Sequence, residues 1–248
     1  MPRESMFFAN EADARLFFFS VMQLVMAWTA YREGHISLKE LRVYFALAEI
    51  FATNRRSGAR GEAAPKFNTR ELRALVGGTG GERSAMRRLL AVGLLREVSD
   101  SGIEFATDPS ELCFVPATLD DILALLYTDL RRVVPVPRHI LRLIAGDARR
   151  TLIATILGHL IRCLKRGARH PKGYVKASWI AEVFGVTERS VHRDRQRLVA
   201  LGWLIPQDAS QHTLNRYGGF LAINLAWDGP TKAEVPFDHP AVPVTAVP

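Results

Sequence analysis

The side chains of this chain that could do chemistry are hydrogen-bonding groups rather than nucleophiles or metal ligands. Thr187, Glu188, Arg189, Ser190, His192, Arg193, Gln196 and Arg197 crowd into one short stretch. Thr187 can cap a helix there, which would turn Glu188, Arg189, Ser190, His192, Arg193 and Gln196 outward while Val191, Leu198 and Leu201 face inward. A surface of that kind offers donors and acceptors to a polar partner. No reactive constellation competes with it. The seven histidines are scattered, none stands at metal-ligand spacing from a cysteine or carboxylate, and neither a serine elbow nor an HExxH is present. Glu111, Asp120 and Asp121 lie near a helix start, where acids simply favour the dipole. No enzyme, metal or cofactor is expected.

The elements that must position this stretch lie on either side of it. From Val175 to Leu204 the sequence reads VKASWIAEVFGVTERSVHRDRQRLVALGWL. Ile180, Ala181, Phe184, Val186 and Val191 are apolar at the spacings by which two short helices pack across a tight turn, and Gly185 falls where the backbone needs a positive φ. Ala181 is small at the crossing. The second helix ends at Gly202. Trp203, Leu204 and Ile205 then read as a strand, Asp208 to Gly219 as a polar turn, and Phe220 to Leu225 as a second strand.

Helix, turn, helix, strand, polar loop, strand is the order of a winged helix, and this region resembles the winged helix-turn-helix superfamily. VHRDRQRL is similar to the recognition helix of bacterial regulators of the DeoR type, except that Arg195 stands where that pattern has leucine. Either the helix is slightly rotated or the aliphatic stem is buried with its head reaching out. The resemblance implies duplex DNA as partner, with the second helix in the major groove and the wing, carrying His212, Asn215 and Arg216, along the backbone or minor groove.

A shift of 109 residues places RRLLAVGLL, from Arg87, over QRLVALGWL, from Gln196, with Arg88, Leu89, Ala91, Gly93 and Leu95 on identical residues. Upstream, an Asn68/Glu71 capping box, a glycine-rich turn and a helix starting near Gly81 repeat the pattern, and Ile103–Phe105 and Leu112–Val115 would supply two wing strands. Arg83, Arg87 and Arg88 could contact phosphates. Gly77, Gly78, Gly80 and Gly81 do not make a nucleotide loop, because Glu82 follows where a lysine and a hydroxyl are needed. The expected fold is therefore mainly α with small β-hairpin wings, as tandem winged helix-turn-helix domains. Residues 1–35 form a long apolar helix for core or dimerisation, 36–134 the first domain, 135–227 the second, and 228–248 a proline-rich tail.

The chain has 248 residues, 48% apolar and 23% charged, long enough for a sizeable core. Its net charge is +8, and Arg138 to Lys172 alone holds nine basic residues against Asp147, so a polyanion-attracting face should centre there. Arg162, Lys165, Arg166, Arg169, Lys172 and Lys176 are the expected backbone contacts. Cys113 and Cys163 sit in apolar sequence and read as reduced core thiols. Glu11 to Glu33 reads as one helix capped by Asn10 and stopped by Gly34. Its apolar run, Leu16 to Tyr31, is too short to span a membrane, and Glu4, Glu11 and Asp13 argue against a signal peptide. Ser37 and Glu40 cap a helix from Leu38 to about Ala52, Asn54–Pro65 reads as a loop, and Thr118 to Arg132 as a helix before a boundary at Pro135 and Pro137.

These features predict a cytoplasmic, nucleoid- or plasmid-associated protein that binds specific duplex DNA, does no catalysis, and acts as a homodimer if the N-terminal helix is shared. A transcriptional regulator is the first expectation. The layout also resembles plasmid or phage replication initiators, which pair two winged helices in a similar length and lack a sensor domain. A winged-helix protein-interaction module is the third. Transcription or replication machinery would be the further partner.

Overall fold

The computed structural model describes residues 16–56, 69–78, 80–98, 102–126, 128–164 and 171–229, and these are mainly helical with small antiparallel hairpins. Leu16–Ser20 is a strand, β1, and not part of a helix over Glu11–Glu33. An aromatic run suits a pleated strand, and the partner that decides the matter is remote in sequence: β4, Val133–Pro137, pairs with β1 antiparallel. Pro135 and Pro137 thus lie within a strand, at the start of the second half of the chain. Ser20 closes β1 and starts α1, Val21–Arg32. Its Oγ accepts from the Gln23 N–H at 3.1 Å, and the Gln23 side chain accepts from the Ser20 N–H at 2.9 Å. Between Val21 and Ala30 every residue except Met22 is buried. The helix is thus enclosed by its own chain as a core element.

The helix α2, Leu38–Arg56, opens at the expected capping box, where the Ser37 N–H donates to Glu40 Oε2 at 2.5 Å. Around it the core is aromatic. Phe19 stacks on Tyr44 and meets Phe45 and Phe105 edge-on. The helix packs along α6, Arg138–Asp147, and buried Glu49 accepts there from two arginines one turn apart, Arg138 Nε at 2.5 Å and Arg142 Nε at 2.6 Å.

After α2 come α3, Thr69–Leu75, α4, Glu82–Ala91, and the hairpin of β2, Leu95–Val98, with β3, Gly102–Phe105. A short 3-10 turn at Pro109–Glu111 and α5, Leu119–Leu126, lead to β4. Leu112–Val115 is not the second wing strand, since β3 already pairs with β2, and α5 is shorter than the helix expected over Thr118–Arg132. The second half then repeats the order with α6, α7, Arg150–Cys163, α8, Ala177–Phe184, α9, Glu188–Ala200, β6, Leu204–Pro206, and β7, Gly219–Ile223. It adds β5, Lys172–Val175, on the free edge of β7, giving the order β5-β7-β6. The polar turn expected between the last two strands contains a helix, α10, Gln211–Tyr217, capped by Ser210.

The repeat is visible bond for bond. Val92 N–H to Arg88 O, Gly93 N–H to Leu90 O and Leu94 N–H to Leu89 O end α4, and the same three bonds, from Leu201, Gly202 and Trp203, end α9. Both glycines have positive φ, 78° and 72°. A Cβ on Gly93 would also meet the Glu111 carbonyl oxygen at 2.0 Å. The strands that open the two halves pair symmetrically as well. Leu16 faces Pro137, Phe18 faces Pro135 and Ser20 faces Val133, and a helix begins at the next residue of each strand. The register is that of a two-fold axis through Phe18 and Pro135.

Two side-chain expectations change. Cys113 is exposed, and only Cys163 is a core thiol. Burial pushes the Cys163 thiol up to about 12, against the pull of Arg195 and Arg162. Among the described residues no helix is long and apolar enough to cross a membrane.

Candidate nucleic-acid interface

The helix α8 buries Ala177, Ile180, Val183 and Phe184 and stops at Gly185, whose φ of 61° is the expected left-handed turn. The carbonyl of Gly185 accepts from Arg150 Nη2 at 2.7 Å. Two residues later Thr187 caps α9: its Oγ1 accepts from the Ser190 N–H at 3.3 Å and donates to Ser190 Oγ at 2.8 Å. Val191, Asp194 and Leu198 hold the helix to the body of the protein, and Leu201 is half-buried.

The opposite side carries Glu188, Arg189, His192, Arg193, Gln196 and Arg197, all exposed. Their spacing is that of one helical stripe, about 14 Å long at 1.5 Å per residue. Six of the eight residues singled out in the sequence are therefore brought together, whereas Thr187 and half-buried Ser190 build the helix start. His192 Nε2 lies 3.5 Å from Glu188 Oε1, and Arg193 Nε lies 3.8 Å from Asp194 Oδ1. The stripe offers cationic forks, an amide, an imidazole and a carboxylate, a mixture that can discriminate among patterns of donors and acceptors.

Arg195 does not reach out to water. Its guanidinium turns inward, donating from Nη2 to the Val175 carbonyl at 3.1 Å, and burial holds its pKa below the usual arginine value. The side chain thus ties α9 to the end of β5. From the other side α10 meets the same strand end, because a Cβ on Gly218 would lie 2.7 Å from the Lys176 backbone and only glycine, at φ 88°, permits that approach. The helices α9 and α10 are both fixed to one point of the sheet. There Lys176, His212, Asn215 and Arg216 are exposed, with Asn215 Oδ1 accepting from Gln211 Nε2 at 2.8 Å.

The basic segment behaves differently from its charge count. Arg138 and Arg142 neutralise Glu49, Arg150 holds the Gly185 turn, and half-buried Arg162 lies 4.1 Å over the Trp179 ring, so these cations are engaged with the protein itself. Arg149 and Lys172 are exposed, and Lys165, Arg166 and Arg169 lie outside the described residues, as do Asn10, Asn68 and the tail beyond residue 229.

In the first half Arg83 and Arg87 are exposed on α4, while Arg88 donates from Nε to the His35 carbonyl at 2.8 Å. The turn before α4 places Gly77, Gly78, Gly80 and Gly81 all at positive φ. Lys39 donates to the Gly80 carbonyl, and buried Glu82 faces Arg73 Nε at 3.5 Å beside a cleft of about 370 Å³ lined by Thr69, Arg73, Gly81, Glu82 and Arg83.

Sequence reasoning missed two kinds of residue. Asp194 is buried with Oδ2 unpartnered, and His159, buried on α7, donates from Nδ1 to Thr155 O at 2.7 Å while Nε2 has no partner. Burial, reinforced by the Arg195 charge, lowers His159 to about 3. The exposed aromatics Tyr174 and Tyr217 were also passed over, although alternation in KGYV signals an outward-facing tyrosine. No family model, curated protein or solved structure matches the chain.

Proposed function

We propose that this chain binds specific double-stranded DNA through two tandem winged-helix modules, of which the second reads sequence. The observation that carries the reading is the stripe Glu188, Arg189, His192, Arg193, Gln196 and Arg197 on a capped helix that a neighbouring tight turn and a buried face hold rigidly. In this reading α9 enters the major groove. Arg189 and Arg193 take guanine O6 and N7, and Gln196, His192 and Glu188 meet other base edges, each good bidentate pair discriminating by about 1–3 kcal/mol. Lys176, His212, Asn215 and Arg216 meet phosphates or the minor groove at the wing, and Arg83 and Arg87 add phosphate contacts from the first half.

The biological use favoured is transcriptional regulation. A second reading, replication initiation, is favoured by the joining of the halves through β1–β4 and through Glu49, which makes a single rigid reader of two modules. Selection of bound duplexes from a random pool, using the full chain, tests DNA recognition. One enriched motif, bound with a falling affinity as salt rises, is the expected result. Retention of no duplex in dilute buffer would overturn it. An inverted pair at a promoter then marks a regulator, and several direct repeats beside an AT-rich stretch mark an initiator.

A further inference from the structure

We propose that the outer face of the sheet β5-β7-β6 is a stacking surface for the bases of single-stranded nucleic acid. In a folded protein large apolar rings are usually buried, as Phe19, Tyr44 and Phe45 are here. The register of β5 and β7 instead sets Tyr174 opposite Phe220 on the side away from Val175 and Leu221, which are buried. Their rings stack at 4.4 Å with planes 15° apart, and Tyr217, at the end of α10, joins at 5.9 Å. Tyr174 is 38% and Tyr217 48% exposed, and Ile205 on β6 extends the apolar face at 44%.

Charge points to the occupant. Lys172 Nζ lies 5.4 Å from the Phe220 ring centre and the Arg216 guanidinium 5.2 Å from that of Tyr217, so the aromatic row is bracketed by cations. The elements that build the face, residues 172–175, 204–206, 211–217 and 219–223, contain no aspartate or glutamate. Rings for bases and cations for phosphates are the elements that hold a single strand without dependence on its sequence. Duplex DNA keeps its bases stacked inside and cannot use the rings. The inference therefore goes beyond duplex reading by α9 and stands or falls without it.

The test uses the full chain and three labelled probes: a 20-nucleotide thymidine strand, a strand of equal length with abasic residues, and a duplex. Fluorescence anisotropy at low salt should show the thymidine strand binding at least about tenfold more tightly than the abasic one. Tyr174→Ala with Tyr217→Ala should abolish that difference and leave duplex affinity within about twofold. Tyr174→Leu with Tyr217→Ser keeps strand bulk and solubility should the alanine pair fail to fold, and is expected to behave alike. Arg193→Ala should weaken duplex binding only. Equal binding of thymidine and abasic strands overturns the proposal, as does equal loss of strand and duplex in the tyrosine variants. A shift from dimer to monomer on sedimentation of those variants, with strand binding intact, would reassign the face to self-association. If wild-type protein ignores duplexes yet discriminates the two strands, the α9 reading fails and this one holds.

Discussion

The helices α4 and α9 occupy matching places in the two halves and end in the same three hydrogen bonds, yet they present different surfaces. On α9 a side-chain cap starts the helix and the exposed stripe mixes two signs of charge with an amide and an imidazole. On α4 the first residue follows Gly81 with no side-chain cap, Glu82 is buried, and Arg83 and Arg87 are the free cations while Arg88 is bound to the chain. The hairpins differ in the same sense: three residues separate β2 from β3, and twelve, including α10, separate β6 from β7. What the halves share is internal, the turn and hairpin that any such unit needs to close its core. What differs faces water, where the proposed contacts would be made. Arginines alone can hold phosphate or take guanine, whereas the mixed stripe on α9 also offers groups that suit other base edges.

The comparison presumes that both halves belong to one body, and the largest expected effect tests this. Glu49→Ala leaves Arg138 facing an uncompensated, largely buried site, which should cost about 3–5 kcal/mol in urea unfolding. A change below about 1 kcal/mol would mean that the halves are held together by packing alone. Next comes the contrast in reading. Arg193→Ala should cost about 1–3 kcal/mol at the preferred site and relax sequence preference, whereas Arg83→Ala with Arg87→Ala should weaken all sequences alike and lower the salt slope by about 2. Equal relaxation by both variants would erase the distinction between the helices.

Acid should act through the second half. The unfolded chain protonates His159 near its ordinary 6.5, but the folded one does so only at about 3. Between those values the unfolded state binds the extra proton, so stability falls as pH falls, by about 2 kcal/mol from pH 6.5 to 5. His159→Leu should flatten this slope in thermal melts taken across that range. The smallest effect concerns the two helix starts. Thr187→Ala should cost about 1 kcal/mol by removing the cap on α9. Gly81→Ala should cost about the same for another reason, a side chain forced to φ 81° with Lys39 Nζ 3.0 Å away.

Local signals were legible in the sequence. The Gly185 turn, the Thr187 cap and the Ser37/Glu40 box each depend on residues a few positions apart, the 109-residue repeat is a direct match of letters, and each is found where the sequence puts it. Remote partners were not legible. Leu16–Ser20 could be helix or strand until Val133–Pro137 is beside it, and the partners of Arg138, Arg142 and Arg195 are out of reach of the sequence because Glu49 and the Val175 carbonyl meet them only in the fold. The helix α10 was hidden for a further reason, since seven residues give too little periodicity to separate a short helix from a polar turn.

The strand that opens each half has one more property. Because its register is centred on Phe18 and Pro135, β1 laid against another β1 would meet itself in the same alignment, with Phe17 and Phe19 on one face and Phe18 on the other. Within one molecule the covalent tether keeps the second opening strand at high effective concentration and pre-empts that encounter. A half severed from its twin would keep a sticky edge matched to its own kind, so cutting the chain in two should yield pairs rather than monomers.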